Sequence, residues 1–328
     1  MVKTKFRRCL FFPHILLVWI FLLFFTADSM ASVSYRNLIP EPVRVIEKEG
    51  APFVFNDQTR IICSGNHPEW KRIVDSLMPY FSEMAGRELS VGKMKKFVES
   101  NVIYFILEPQ VRKEGFRLKI TEDKLYIEAS DGAGAFYAVQ LLRELSLSAS
   151  NQQGECNKEV NGKKWELCFP PVELEDYPSM SYRGAMLDVS RHFFTVEELK
   201  KQISVMAMLK LNRLHLHLTD NQGWRIAIDK YPQLVEYSAV QETYNEELYG
   251  PCYYTKEDIK ELVAYADRHH IEVIPEIEFP GHSLSALVPF PGLSCSGGPV
   301  KSEQVFGYEE NVFCVGNDSV FTFMENVL

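Results

Sequence analysis

The stretch LHLHLTDNQGWR, residues 214–225, begins with the pattern of a strand and ends in a polar cluster. Its leucines alternate with His215 and His217, which is the period-two pattern of a half-buried strand. Residues 219–223 then bring a carboxylate and two amides, and Trp224 follows at once. An indole is uncommon on a solvated turn, because its large area favours burial. An aromatic ring beside amides and a carboxylate suits a sugar, so we predict that Trp224 is a platform for a sugar ring.

Strands of a similar kind occur on both sides of this stretch, separated by helical patterns. YRGAMLDV (182–189) and IEVIPEIEF (271–279) are apolar runs of strand length. One helix is predicted to begin at Thr195, where Glu198 completes a capping box, and another at Thr255. Strands separated by covering helices are typical of a parallel sheet with right-handed crossovers. The pattern therefore predicts either a doubly wound sheet or a (β/α)8 barrel.

Each of these predicted helices has one apolar face. The two faces comprise Leu199, Ile203, Met206 and Leu209 on the first helix, and Ile259, Leu262, Val263 and Ala266 on the second. This spacing indicates helices that pack with one side against a sheet.

Acidic residues at the ends of the strands favour the barrel. Asp188, Asp220 and Glu278 each fall at the carboxyl end of a predicted strand, the face on which barrel enzymes build their active sites. No glycine-rich phosphate loop follows the first strand, which disfavours a nucleotide-binding sheet. Only three of eight strands are present. Residues 178–328 are therefore predicted to form the first three strands and helices of an incomplete (β/α)8 TIM barrel.

A small α+β support domain is predicted for residues 33–177. FRLKI and KLYIEA, on either side of the turn TEDK, form an antiparallel hairpin pattern, and residues 132–146 and 68–86 have helical patterns. FPPVELEDYP, residues 169–178, is proline-rich and acidic, so we interpret it as the crossing between the two domains.

The N-terminus has the features of an export signal. Four basic residues precede a long apolar run, and small residues at Ser29 and Ala31 allow cleavage, so residues 1–31 are predicted to be a signal peptide. An uncleaved membrane anchor is the alternative. The predicted location is periplasmic or extracellular. After cleavage 31 basic residues face 43 acidic ones, which disfavours nucleic acid as a partner, and a membrane contact is expected only through an uncleaved N-terminal segment.

Cysteine usage suits an exported protein and gives no metal signature. Cys156 falls opposite Cys168 if residues 161–163 are the loop of a hairpin, so a disulfide between them is predicted. No Cys-x-x-Cys pair or Cys/His spacing suggests structural zinc, and no cofactor is predicted.

The stretch PEIEFPGHS, residues 275–283, contains candidates for proton transfer. Glu276 and Glu278 have the same parity on a strand, so both side chains are predicted to lie on one face. His282 follows the turn made by proline and glycine, and a histidine beside a strand-end carboxylate is suited to general acid or base chemistry. The alternative is a buried structural histidine that is hydrogen-bonded to that carboxylate.

The stretch LDVSRHF brings three further polar residues together after the first strand. We interpret this group as an ion pair that fixes the loop, formed by Asp188 with the basic residues Arg191 and His192.

Taken in order, YRGAMLDVSRHF, HLHLTDNQGWRI and IPEIEFPGHS closely resemble the β-N-acetylhexosaminidases of glycoside hydrolase family 20. The resemblance implies that Arg183 grips the outer hydroxyls of the terminal sugar. It also implies that Asp220 and His282 form a hydrogen-bonded pair that supports the catalytic acid, and that Glu278 occupies a substrate-binding position. The strand pattern alone places Arg183 at the opposite end of its strand from the predicted site.

The resemblance implies hydrolysis of terminal β-linked N-acetylglucosamine or N-acetylgalactosamine from glycans, with retention and with the substrate's 2-acetamido group as the nucleophile. In the family the acid belongs to an adjacent Asp-Glu pair, usually after two glycines, at the end of the fourth strand. The sequence contains no Asp-Glu pair, and Gly297-Gly298 is followed by Pro299. The chain is therefore predicted to be the N-terminal portion of such an enzyme and inactive alone.

Two other classes of protein are alternatives. A metal-dependent hydrolase of the amidohydrolase type would use the HLH sequence as a pair of metal ligands, with His282 as a later one. A non-catalytic sugar-binding protein would keep the binding residues without the acid.

Overall fold

The structure, a computed structural model, describes residues 35–328 apart from 57, 65–67, 87, 89–90, 93–99, 152–157, 161–162, 166, 240, 243–247 and 301–310. The predicted signal peptide, residues 1–31, lies outside the described residues. Within the described ranges, no helix has the length and apolar character needed to cross a membrane.

Residues 35–177 form a mixed sheet of seven strands with two small strand pairs beside it. The strands are β1 (Arg44–Glu47), β2 (Phe53–Val54), β3 (Arg60–Cys63), β4 (Val91–Gly92), β5 (Val102–Leu107), β6 (Phe116–Ile120), β7 (Lys124–Ala129), β8 (Lys158–Val160), β9 (Lys163–Trp165), β10 (Cys168–Phe169) and β11 (Val172–Asp176). The order in the sheet is β1-β11-β6-β7-β5-β3-β4. The predicted hairpin is confirmed, because β6 and β7 pair antiparallel.

Two helices, α1 (Pro68–Ala85) and α2 (Gly132–Asn151), pack on this sheet. Asp131 caps α2, because its Oδ1 accepts a hydrogen bond from the Gly134 amide at 2.9 Å. A Cβ at Gly134 would lie 2.1 Å from the Gly115 carbonyl oxygen, so this close approach of backbone requires glycine. The predicted helix over residues 132–146 is confirmed as α2, and its apolar face is buried at Ala138, Leu141, Leu142 and Leu145.

The predicted crossing at residues 169–178 is largely a strand. β11 lies inside the sheet, paired with β1 on one side and β6 on the other. Its burial alternates, with Val172 and Leu174 buried. The acidic residues of this run lie largely on the less buried face of a period-two strand, so most of the run belongs to the support sheet, and the boundary between the two domains stays a prediction.

The predicted disulfide hairpin is confirmed only in part. β8 and β9 pair antiparallel, with Val160 opposite Lys163, so Lys163 belongs to a strand and the predicted three-residue loop is wrong. Cys168 is disulfide-bonded. Cys156, its predicted partner, lies outside the described residues.

Residues 184–328 contain a parallel sheet and the helices that connect its strands. The strands are β12 (Gly184–Asp188), β13 (Arg213–His217), β14 (Thr219–Asp220), β15 (Gly223–Trp224), β16 (Gln241–Glu242), β17 (Leu248–Tyr249) and β18 (Glu272–Glu276); the helices are α3 (Val196–Met208), α4 (Gln233–Ser238), α5 (Lys256–Asp267), α6 (Leu284–Leu287) and α7 (Asp318–Val327). β13 lies between β12 and β18, and all three run parallel, as predicted. The incomplete (β/α)8 barrel stays a prediction.

The crossover helices begin where the sequence predicts. Thr195 and Thr255 each form a complete capping box. The predicted apolar faces are too wide, however, because Leu209 is 40% exposed and Val263 is 45% exposed. Leu209 caps the end of α3, and Val263 lies about 100° around the helix axis from the buried Leu262.

One hydrophobic core connects the two parts of the chain. It runs from the support sheet through α2 into α3, β13 and α5. At the junction, the ring of Phe136 lies 5.3 Å from that of His270 and 6.0 Å from that of His269. The amino ends of β13 and β18 therefore rest near the support domain, and their carboxyl ends lie on the opposite side.

Candidate active site

The carboxyl ends of β12, β13 and β18 bring five polar side chains to one edge of the parallel sheet. Asp188 lies opposite His217 in the pairing of β12 with β13, and His217 lies opposite Glu276 in the pairing of β13 with β18. Asp220 and Glu278 follow just beyond the ends of their strands. Because parallel strands end at the same edge, the acidic residues predicted to share a site are brought together.

Asp220 is 1% exposed, and each of its carboxylate oxygens has two partners. Oδ2 lies 2.8 Å from Nε2 of His217 and 2.6 Å from Nη2 of Arg191. Oδ1 accepts a hydrogen bond from the Asn221 amide at 2.6 Å and lies 3.0 Å from Nδ1 of His282. Burial alone would raise the pKa of Asp220, but the hydrogen bonds from His217 and the Asn221 amide hold it below its ordinary value. Asp220 is therefore a buried, ionised carboxylate.

His282 is the exposed partner of Asp220. Its φ of +49° lies in the left-handed region, which histidine enters more readily than most residues with a side chain. The side chain is 49% exposed, so the alternative of a buried structural histidine is wrong. An ionised carboxylate only accepts hydrogen bonds, so Nδ1 of His282 carries the proton that it shares with Asp220. Nε2 is then the ring nitrogen left for chemistry.

His217 contacts a carboxylate through each of its ring nitrogens. Nε2 lies 2.8 Å from Asp220, and Nδ1 lies 2.9 Å from Oε2 of Glu276. The hydrogen bond to Asp220 is the main cause that raises the pKa of His217 to about 9; burial opposes the shift, and the bond to Glu276 adds to it. The sequence pattern places His217 on a strand and, in the metal-dependent alternative, among the metal ligands, but it does not predict this pairing with two carboxylates. Its register opposite Glu276 was the signal that it missed.

Glu276 and Glu278 both face His217, as their shared parity predicts. Glu276 has the contact at 2.9 Å, and Oε1 of Glu278 lies 3.6 Å from the same Nδ1. The two carboxyl groups are also hydrogen-bonded to each other. Burial and the neighbouring Glu276 raise the pKa of Glu278, whereas the hydrogen bonds from His217 and Glu278 lower that of Glu276 against the effect of burial. Glu278 is therefore the more readily protonated of the two carboxyl groups.

Arg191 forms the predicted ion pair and also reaches the centre of the site. Its Nη1 lies 2.7 Å from Oδ2 of Asp188, and its Nη2 contacts Asp220. Burial would lower the pKa of Arg191, but the hydrogen bond to Asp188 and the charge of Asp220 raise it. The side chain remains 30% exposed, so a fixed cation lies at the open edge of the site.

Trp224 is a core residue, and its predicted role as a sugar platform is wrong. β14 and β15 form a tight antiparallel pair that turns the chain back after Asp220. Trp224 is consequently 1% exposed, its Nε1 donates to the Ile226 carbonyl at 2.7 Å, and its ring meets that of Phe323 edge-on at 6.3 Å. The sequence pattern correctly indicated that the indole needs burial, but protein rather than sugar provides it.

Arg183 lies at the junction with the support domain, and the predicted sugar contact is wrong for this structure. Its Nη2 lies 2.7 Å from Oε2 of Glu114 and 3.0 Å from the hydroxyl of Tyr137. The other guanidinium nitrogens donate to the carbonyls of Lys210 and Met180, each at 2.7 Å. Arg183 precedes β12, so its position is the amino end of the strand, as the strand pattern alone indicated. Arg191, and not Arg183, is the arginine that the structure places at the site.

A second arginine organises the loops around the site and was also missed. Arg225 is fully buried, and its guanidinium donates to the carbonyls of Ser190, at 2.8 Å, and Cys252, at 3.1 Å. A Cβ at Gly223 would lie 2.3 Å from this guanidinium, so the glycine leaves room for it. Arg225 thereby joins the loops after β12 and β13.

The side chains His217, Glu276 and Glu278 bring possible metal-donor atoms within 4.8 Å of one another. The hydrogen bonds described above already join these atoms. An imidazole that donates from both nitrogens has no lone pair for an ion, so proton sharing accounts for the arrangement. His282, which the metal-dependent alternative would recruit, contacts Asp220 instead.

A histidine–carboxylate pair and a fixed cation at the carboxyl ends of parallel strands are suited to general acid or base chemistry in an enzyme. Comparison with known proteins identifies the family. Residues 180–328 match the catalytic domain of glycosyl hydrolase family 20, and residues 35–177 match domain 2 of the same family. The chain belongs to glycosyl hydrolase family 20, a family of glycosidases.

Individual relatives agree with this assignment. The chain is 37% identical over 296 residues to a beta-hexosaminidase of Porphyromonas gingivalis. The aligned region covers 89% of this chain and 36% of the relative. The GH20 β-N-acetylhexosaminidase of Streptomyces coelicolor superposes with a TM-score of 0.74 at 33% identity, covering 90% of this chain and 56% of that one. A mutant Streptomyces plicatus beta-hexosaminidase, in complex with the product GlcNAc, gives 0.73 at 34% identity, with the same coverage. The chain therefore spans about a third to just over half of these relatives.

Proposed function

We propose that this chain supplies half of the active site of an exported β-N-acetylhexosaminidase, which removes terminal β-linked N-acetylglucosamine or N-acetylgalactosamine from glycans. The observation that carries the proposal is the pair of His282 and Asp220, joined at 3.0 Å with Nε2 of the histidine left available. The relative in complex with GlcNAc supports the substrate class. The N-terminal pattern of a signal peptide supports export.

The proposed chemistry is substrate-assisted and retaining. The 2-acetamido carbonyl of the sugar attacks the anomeric carbon, which makes the attack intramolecular and removes the need for a protein nucleophile. Water then opens the resulting ring, so the anomeric carbon is inverted twice. Asp220 and His282 support the catalytic acid, which first protonates the leaving oxygen. The same group then acts as a base and takes a proton from the attacking water.

The acid itself is proposed to belong to an adjacent Asp-Glu pair, which the 328 residues do not contain. Arg191 provides a positive charge at the edge of the site, and the carboxyl group of Glu278 provides a hydrogen-bond partner for a sugar hydroxyl. On this proposal the 328-residue chain binds the sugar weakly and does not hydrolyse it.

The test is to assay the protein translated from the complete coding DNA beside the 328-residue chain. With an aryl β-N-acetylglucosaminide, a translation product that includes an Asp-Glu pair is expected to release the sugar, and proton NMR is expected to show the β anomer first. Initial release of the α anomer would overturn the retaining mechanism. Hydrolysis by the 328-residue chain alone, in protein purified from a host that lacks such enzymes, would show that the acid has been misplaced.

A further inference from the structure

A continuous series of acid–base contacts runs from the end of β18 through the end of β13 to the segments that follow these two strands. In order, the contacts are Glu276 Oε2 to His217 Nδ1 at 2.9 Å, His217 Nε2 to Asp220 Oδ2 at 2.8 Å, and Asp220 Oδ1 to His282 Nδ1 at 3.0 Å. The proposed function uses only the last of these contacts. His217 is in the middle of the series, 7% exposed at its side chain, and has no direct access to a substrate.

The geometry determines the charge on His217. A neutral imidazole has one donor and one acceptor nitrogen, but both nitrogens of His217 face carboxylate oxygens. An ionised carboxylate cannot donate, so both nitrogens must carry protons and the ring is an imidazolium. The raised pKa of His217, about 9, agrees with this.

Because of the His217 cation, the two carboxylate oxygens of Asp220 have different partners. His217 and Arg191 both bind Oδ2, which concentrates positive charge there. Oδ1 remains for His282 and for the backbone amide of Asn221. The carboxylate is thereby held in one orientation, with one oxygen directed at the histidine that faces the substrate.

We propose that His217 is a positioning residue, a fixed imidazolium that keeps Asp220 ionised and its Oδ1 directed at His282, so that the proton of His282 stays on Nδ1. The catalytic consequence rests on the proposed function, whereas the charge and the tautomer do not. A carboxylate that fixes the tautomer of a catalytic histidine is itself commonly held by further hydrogen bonds, and loss of such support lowers activity about 10- to 100-fold in metal sites.

The other charged groups around His217 are consistent with a retained proton. Asp188 lies opposite it on β12, and Glu278 lies 3.6 Å from Nδ1, so two carboxyl groups surround the ring beyond its two direct partners. Arg191 binds Asp220 from the other side, and the ring of His282 lies edge-on at 6.3 Å.

The first experiment measures protonation directly on the 328-residue chain labelled with ¹⁵N-histidine. Both ring nitrogens of His217 are expected to be protonated at pH 7, and the neutral form of His282 is expected to carry its proton on Nδ1. In His217→Gln, the amide keeps a neutral donor towards Asp220 but no charge, and His282 is expected to become a mixture of tautomers. The control is His215→Gln: His215 also contacts Glu276, at 2.7 Å, and the change is expected to leave His282 unaltered.

A neutral His217 at pH 7 would overturn the proposal, and so would an unchanged tautomer of His282 in His217→Gln. Circular dichroism is run on each variant. Should His217→Gln unfold, His217→Asn, which keeps a donor towards Glu276, replaces it in the same comparison.

The second experiment uses the complete translation product. His217→Gln is expected to lower kcat about 10- to 100-fold with KM within threefold, and to change the acidic limb of the pH profile, which a purely structural defect would not do. His215→Gln should keep the wild-type profile. An enzyme without hexosaminidase activity would refute the proposed function and leave the NMR result standing. Normal kcat and pH profile in His217→Gln would refute the positioning role alone.

Discussion

Asp220 Oδ1 and His282 Nδ1 lie 3.0 Å apart, although one side chain is 1% exposed and the other 49%. The pair thus connects a buried charge to an exposed ring. The buried member fixes the tautomer, and the exposed member can meet a substrate. Substitutions on either side of this contact should therefore have different effects.

Replacing His282 should affect turnover much more than binding. In the complete translation product, His282→Ala is expected to lower kcat about 10²- to 10⁴-fold, the usual range for loss of proton-transfer assistance, with a small change in KM. His282→Asn, which keeps a donor to Asp220 but lacks Nε2, should lose as much. Melting temperatures near that of the wild type would exclude unfolding as the cause. A loss confined to KM would count against the pairing with Asp220.

Replacing Arg183 should affect only the stability of the fold, whereas replacing Arg191 should also affect activity. Arg183→Ala breaks an ion pair in which the side chains are 12% and 17% exposed, so it should reduce the free energy of unfolding by about 3 kcal/mol. Hydrolysis by the protein that stays folded should be unchanged. Arg191→Ala should reduce kcat/KM, and it should also reduce the free energy of unfolding by about 1–3 kcal/mol, because it removes a hydrogen bond to the buried carboxylate of Asp220. Urea unfolding and steady-state kinetics of both variants provide the check. An increase in KM for Arg183→Ala at normal stability would restore its predicted sugar contact.

Trp224 should behave as part of the core. Trp224→Ala is expected to reduce the free energy of unfolding by about 3–5 kcal/mol, because it leaves a cavity among Leu234, Phe313 and Phe323. Trp224→Phe should lose less, since it keeps most of the apolar area. Binding of N-acetylglucosamine, measured by calorimetry on Trp224→Phe, should match that of the wild type. Weakened binding at wild-type stability would contradict the assignment to the core.

Stability should fall in mildly alkaline solution because of His217. Its folded pKa of about 9 lies above the ordinary 6.5, so its contribution is fully present below pH 6.5 and is lost as the pH rises towards 9. The contribution is on the order of 3 kcal/mol at most. Urea midpoints at pH 6.5 and 9 should differ in the wild type and differ less in His217→Gln. An equal change in both proteins would assign the effect to another group.

Cys295 and Cys314 should form a disulfide on oxidation. Their thiols are hydrogen-bonded, and Ser294 and Phe313 pair antiparallel next to them. Reaction with glutathione disulfide would transfer two electrons and two protons from the thiols and release two molecules of glutathione. Non-reducing peptide maps should show the cross-link, while Cys63 and the buried Cys252 remain alkylatable after unfolding. Recovery of Cys295 and Cys314 as thiols under the same conditions would contradict this expectation.

Much of the local structure could be predicted from the sequence, because local rules determine it. Period-two leucines predicted β13, and the capping residues Thr195 and Thr255 predicted where α3 and α5 begin. The pairing of Asp220 with His282 came from the family resemblance, and the structure supplies its distance.

The errors in the predictions concern residues whose surroundings are determined by contacts with distant parts of the chain. The burial of Trp224 was correctly expected, but only the return of β15 shows that protein surrounds it. Arg183 was given a substrate role although the strand pattern placed it at the far end of β12. The charge of His217 depends on partners from two other segments, and no pattern within its own strand contains that information.

The single core shared by the support sheet and the crossover helices bears on how such proteins can be recombined. The boundary near residue 177 divides the chain into two sequence modules but not into two units of cooperative unfolding, because Phe136 and Tyr137 on α2 pack on the same core as Leu214 on β13. A cut at that boundary would expose apolar surface on both pieces. Exchange between relatives should therefore succeed only when both modules are exchanged together.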